Sequence, residues 1–142
     1  MRSHILSPKP LWQNNGLFII RVVTGLLMAY HGFEVFDYKK MDEYAKWDVI
    51  RIMPAPLFMV YLGKSLELVS GIALTLGVLT RVAALLMAIN MLFICFKIGN
   101  GKFYFEDQHP FIFAMLAMVF IFTGPVKWSI DHLIFKSKTQ ND

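Results

Sequence analysis

Four apolar stretches, Leu17 to Phe36, Leu57 to Leu79, Val82 to Lys97 and Pro110 to Gly124, take up more than half of the 142 residues and leave room only for loops and short tails. With 56% hydrophobic and 17% charged residues, the chain carries more apolar surface than one small core can hide. At about 20 residues per crossing, four spans account for most of its length. The expected fold is therefore all-α, an integral membrane antiparallel four-helix bundle forming a single domain over residues 1–142.

The punctuation between the stretches agrees with that reading. Pro54 and Pro56 close a charged, aromatic first loop, and Thr80-Arg81 allows a tight hairpin. Gly99, Asn100 and Gly101 mark a turn-rich second loop, while Gly124 and Pro125 end the last stretch. The third and fourth stretches are short for a span, implying little tilt or a thin bilayer. The opening "MRSHILSPKPLWQNNG" is polar and proline-broken, unlike a cleaved secretory leader, so the first helix is expected to stay.

Four spans put both termini on one side. Seven basic residues, from Arg2 and Lys9 to Lys138, then face six on the other side, a near balance that favours cytoplasmic termini only slightly. Trp12, Trp47, Tyr61, Tyr104 and Trp128 fall near span ends, where amphipathic rings sit at the headgroup layer. The first loop alternates apolar residues with charges, which fits either a lid over the bundle or an amphipathic segment on the lipid surface.

Several functions are disfavoured. Cys95 is alone, so neither an internal disulfide nor a CxxC pair can form. The net charge of +4 is scattered over loops and tails, which argues against nucleic acid as a partner. His4, His31, His109 and His132 lack metal-ligand spacing, and no haem, flavin, nicotinamide or phosphate-loop motif occurs. His31 and His109 should nevertheless lie near the same membrane face.

Ionisable groups at membrane depth are costly and usually face a partner or a cavity, which makes the few inside the spans informative. These are Arg21, His31 and Glu34 in the first span and Lys64 and Glu67 in the second, joined by Thr24, Ser70 and Asn90. At ~100° per residue, Gly63, Glu67, Ser70, Leu74 and Gly77 share a narrow face, while Arg21, Gly25, Met28 and Gly32 form a stripe with His31 on its flank. Two glycine-bearing faces invite close helix contact. Counting depth, Arg21 is expected to reach Glu67 from the terminal side, with His31 and Lys64 approaching from the loop side and Asn90 adding a hydrogen bond. Lys64 lies about 60° off the glycine face and is expected to snorkel outward. His109 stands at the start of the fourth span. The candidate ligand-binding set is thus Arg21, His31, Lys64, Glu67, Asn90 and His109. Glu34, Arg81 and Asp131 are assigned structural roles, Asp131 as a helix cap or as a partner of Arg81 or Arg21. The polar set either fixes which helices touch or binds a polar head such as a quinone ring.

The blocks "RVVTGLLMAYHGFEVF", "GKSLELVSGIALTLGVLTRVAALLMAINML" and "TGPVKWSID", in this order, resemble the DoxX family of small four-helix membrane proteins. The resemblance extends to Arg21, His31, Glu67 and Asp131. The family often has a glutamate at the start of the fourth helix; here "EDQHPF" places His109 at the entrance and Glu106 outside it. The resemblance implies a subunit of a bacterial inner membrane, associated with quinone-linked electron transfer or an oxidoreductase complex. It also implies quinone as cofactor, and lipids, other membrane subunits or further copies of itself as partners. The alternatives are a non-enzymatic scaffold and, with no inverted repeats to support it, a carrier for a small solute or proton.

Overall fold

The structure, a computed structural model, describes residues 12–139; Arg2, His4 and Lys9 of the charge and histidine counts lie outside them. Helix α1 runs over Gln13–Gly32 and tightens into a 3-10 turn at Phe33–Phe36. The first loop folds into two short helices, α2 (Tyr38–Ala45) and α3 (Asp48–Arg51). Helix α4 (Pro56–Leu76) opens on a proline in its first turn and ends at Gly77, whose φ of 69° is the left-handed conformation that glycine adopts without a steric penalty. Helix α5 (Thr80–Phe93) continues through a wide π turn at Ile94–Ile98, and α6 (Gln108–Thr123) and α7 (Ile130–Thr139) follow.

Among the described residues, three helices are long and apolar enough to cross a membrane: Gln13–Phe36, Pro56–Leu76 and Thr80–Ile98. The third was expected to be short, but the π turn carries it to 19 residues before Gly99 ends it. Helix α6 has 16 residues, about 24 Å at 1.5 Å per residue, below the ~30 Å of hydrocarbon. Together α1, α4, α5 and α6 form the membrane-embedded antiparallel bundle. Helix α7 was not anticipated, although its signal is present in the sequence: the Ser129 hydroxyl accepts from the His132 amide at 3.1 Å, the pattern of an N-cap.

The tightest seam joins α1 to α4. A side chain at Gly71 would strike the backbone of Ala29, and one at Gly32 the backbone of Leu68, so these glycines let the two chains meet main chain to main chain. Helix α1 thus makes its contact through the expected glycine stripe, Gly25 and Gly32, whereas α4 meets it through Leu68, Gly71 and Thr75 and not through the expected face of Gly63, Glu67 and Ser70. On another side of α4, Leu74 joins Met28, Met87, Ala84, Ala117 and Phe120 in the main core. Met41 and Ile50 of α2 and α3 pack against Val60 in a second, smaller core. The first loop therefore lies across the end of the bundle as a lid. Outward-facing Val23, Leu26, Val69, Val82 and Phe122 remain exposed, as a lipid-facing surface requires.

Candidate functional site

The polar residues of the bundle separate into two groups, one at each end, and helix register decides the division. Gly25 faces Gly71 and Thr75, and Gly32 faces Leu68, which brings Arg21 level with Gly77. Glu67 lies ten positions earlier on α4, about 15 Å away along the axis, beyond an arginine's reach. The expected Arg21–Glu67 pair is therefore not formed. Instead Arg21, fully buried, donates from Nη2 to the Trp128 carbonyl at 2.9 Å and lies 5.6 Å from the centre of the Phe18 ring. Its Nε and Nη1 have no hydrogen-bond partner among the described residues.

Asp131 completes this terminal-side group. Its carboxylate accepts from the Leu79 amide at 2.8 Å and the Thr80 amide at 2.7 Å, capping the start of α5 from a distant part of the chain. The Asp131 amide donates to the Gly77 carbonyl at 3.0 Å. Arg81 lies exposed, with its guanidinium close to Gly124. Asp131 is thus a cap, as one of its two expected roles had it, and it caps a neighbouring helix.

The loop-side group centres on Lys64. Its Nζ lies 2.9 Å from Glu67 Oε2 and 3.0 Å from Glu34 Oε2, and donates at 3.4 Å to the His31 carbonyl. The expected snorkelling does not occur: the Lys64 side chain is 17% exposed, held inward by two carboxylates. The direction is set by its offset from the glycine face, which aims it at the end of α1, where Glu34 stands. Glu34, expected to be structural, is therefore part of the cluster and also binds Lys40 at 2.7 Å. Tyr44, which sequence reasoning passed over, donates its hydroxyl to Glu34 Oε2 at 3.1 Å. Burial first, then this hydrogen bond, hold the Tyr44 hydroxyl above the ordinary tyrosine value of 10.0, keeping it a donor at neutral pH. The signal was Asp37, whose side chain accepts from the Lys39 and Lys40 amides and so starts α2. That start puts Lys40, Met41 and Tyr44 within about 100° of one another.

Asn90 donates from Nδ2 to the Gly63 carbonyl at 3.2 Å, linking α5 to the backbone of α4 rather than to Glu67. The His31 and His109 rings meet edge to face with centroids 5.0 Å apart, and His109 packs the same way on Phe113. His109 owes its position to the preceding turn, where the Asp107 carboxylate accepts from the Asn100 and Lys102 amides at 3.0 and 2.9 Å. Among the described residues, no three His, Cys, Asp or Glu side chains converge in the manner of a metal site.

These groups form the polar end of a cavity of about 600 Å³ between the loop-side halves of α4 and α5. Glu34, Lys64, Glu67, Asn90, His31 and His109 line it, Tyr44, Trp47, Ile50 and Met53 roof it, and the remaining lining is apolar. Leu62, Leu86, Ile89 and Phe93 line the cavity and are also exposed on the outside of the bundle, so it opens sideways toward hydrocarbon. A smaller hollow of about 320 Å³ above it shares His31 and Glu34 and is lined further by Asp37 and Lys40. The structure thus gathers His31, Lys64, Glu67, Asn90 and His109 around one cavity and leaves Arg21 at the other end of the bundle.

Comparison with known proteins gives distant but extensive matches. "Putative oxidoreductase CatD" of Bacillus subtilis (strain 168) is 24% identical over 125 residues, covering 87% of this chain and 90% of its own length. "Uncharacterized membrane protein Rv3486" of Mycobacterium tuberculosis (strain ATCC 25618 / H37Rv) is 29% identical over 134 residues, covering 84% of this chain and 82% of its own. No solved structure matches. The DoxX family pattern matches residues 16–100, which hold every member of the loop-side cluster except His109, and the chain belongs to the DoxX family of membrane proteins.

Proposed function

We propose that the protein is a multi-pass subunit of a bacterial inner membrane, with both termini cytoplasmic, that binds a quinone at the loop-side cluster and serves an oxidoreductase complex. The observation that carries this reading is the cavity: about 600 Å³, apolar along its length, polar at one end and open to the lipid side. An amphiphile with a small polar ring and a hydrocarbon tail matches it, because pockets of this kind fix orientation through a few polar groups and bind through apolar contact. A quinone, when bound, supplies reversible two-electron and two-proton carriage. Glu67 and Asn90 orient its ring, and Lys64 holds the Glu67 carboxylate in place. His31 and His109, whose rings meet at the cavity, exchange protons with the ring oxygens. The printed name of the Bacillus subtilis relative, an oxidoreductase, supports a redox setting. With no cofactor motif of its own, the chain relies on another membrane subunit for the electron partner.

One observation favours a second reading, that of an accessory scaffold. Lys64 is already satisfied by two carboxylates, and its pair with Glu34 ties the end of α1 to α4; such a pair can serve only to specify which helices touch. The two readings separate on purified protein. Quinone extracted from the wild type and lost from Glu67→Gln and His31→Ala, yet kept in surface Lys46→Ala, supports the site. Protein that carries no quinone and binds no added decylubiquinone, while retaining other membrane subunits, supports the scaffold.

A further inference from the structure

Gly63 differs from the glycines of the α1–α4 seam. At Gly25, Gly32 and Gly71 an added side chain would strike a neighbouring helix, so packing requires the glycine. At Gly63 a Cβ would meet only Asn90 Oδ1, at 3.7 Å, an ordinary contact. Packing makes no demand for glycine here, and glycine weakens a helix interior relative to alanine. The space that its missing side chain leaves belongs to the cavity, which Gly63 lines between Lys64 and Asn90.

The chemistry of that space follows from one hydrogen bond. The Gly63 carbonyl can only accept, so the Asn90 atom facing it at 3.2 Å must be the amide nitrogen. Asn90 Oδ1 is thereby turned to the notch above Gly63. Glu67 Oε2, one turn further along α4, is occupied by Lys64, and its carboxylate offers only acceptors while ionised. A ligand oxygen entering the notch therefore meets an acceptor, which suits a hydroxyl better than a carbonyl.

We propose that Gly63 and Asn90 form the ring subsite of the cavity: the Gly63 notch limits ring size, and Asn90 Oδ1 accepts from a ring hydroxyl, so the site prefers the hydroquinone to the quinone. This deepens the quinone reading and rests on it. It assigns a specificity role to a residue whose spacing otherwise reads as helix packing.

Titrating decylubiquinol, kept reduced, and decylubiquinone into the purified full chain tests it, with thermal stability measured on each variant. Wild-type protein should bind the hydroquinone about 3- to 10-fold more tightly than the quinone, the net worth of one hydrogen bond, and Asn90→Ala should equalise the two. Gly63→Ala should weaken both by about tenfold, as expected for a methyl group overfilling a site, while its melting temperature stays at or above that of the wild type, because alanine is the better helix former. Gly63→Leu should abolish binding, and Gly71→Ala should lower the melting temperature. The subsite is overturned if Gly63→Ala binds like wild type, if it loses as much stability as Gly71→Ala, or if the wild type shows no preference for the hydroquinone. Wild-type protein that binds neither form overturns the quinone reading itself, and the subsite with it.

Discussion

The two ends of the bundle solve the problem of polar groups in a membrane in opposite ways. At the terminal end, the Asp131 carboxylate and Arg21 guanidinium bind main-chain groups of Leu79, Thr80 and Trp128. At the loop end, Lys64, Glu34 and Glu67 bind one another beside a cavity. Side chains that satisfy backbone groups finish turns and helix ends, a structural task. Side chains that satisfy each other around open space hold charge where a ligand can reach it. The difference teaches that an ionisable residue within a span is not a functional sign by itself; what it binds, and whether space adjoins it, distinguishes the two ends.

The comparison is most exposed to substitution at Lys64. Lys64→Met leaves Glu67 buried beside no cation, which should cost about 3–5 kcal/mol, read as a large fall in melting temperature. Adding Glu67→Gln to it should recover most of that stability without recovering quinone binding. If the double variant binds quinone normally, the loop end is as purely structural as the terminal end. Asp131→Ala removes the cap on α5 and should cost about 1–2 kcal/mol, with ligand affinity unchanged. Loss of ligand in a folded Asp131→Ala protein would couple the two ends and erase the distinction.

Tyr44→Phe is the smallest change, about 1 kcal/mol for one partly exposed hydrogen bond to a carboxylate that two lysines already hold. It also carries a pH signature. Because the Tyr44 hydroxyl is raised above 10.0 in the folded protein, its contribution is complete below the unfolded value and is lost as pH rises through the folded one. The stability difference between wild type and Tyr44→Phe should therefore shrink in strongly alkaline solution. A difference that does not change with pH would show that the hydroxyl contributes by something other than its hydrogen bond to Glu34.

Much of the bundle was legible from sequence because span length and helical angle are local properties. The boundaries of α4 and α6 follow Pro56, Gly77 and Gly124, and the glycine stripe of α1 announced its contact with α4. What periodicity does not contain is the vertical offset between two helices. Here Gly32 against Leu68 sets that offset, separating Arg21 from Glu67 and bringing Glu34 to Lys64. Angle separates Gly63 from Gly71 by about 80°, but it does not tell which of the two borders open space and which borders a backbone. Tyr44 escaped because its helix is only eight residues long, and Lys64 was misjudged because snorkelling assumes that the nearest relief is water.

The sideways opening past Leu62, Leu86, Ile89 and Phe93 has a consequence for how any occupant is counted. A molecule that enters there arrives from a two-dimensional solvent, so its relevant concentration is moles per mole of lipid rather than moles per litre. Diluting the suspension with buffer should leave occupancy nearly unchanged, whereas adding empty vesicles that exchange the compound should drain the site. Competition among amphiphiles will follow their ranking by membrane partitioning as well as by fit.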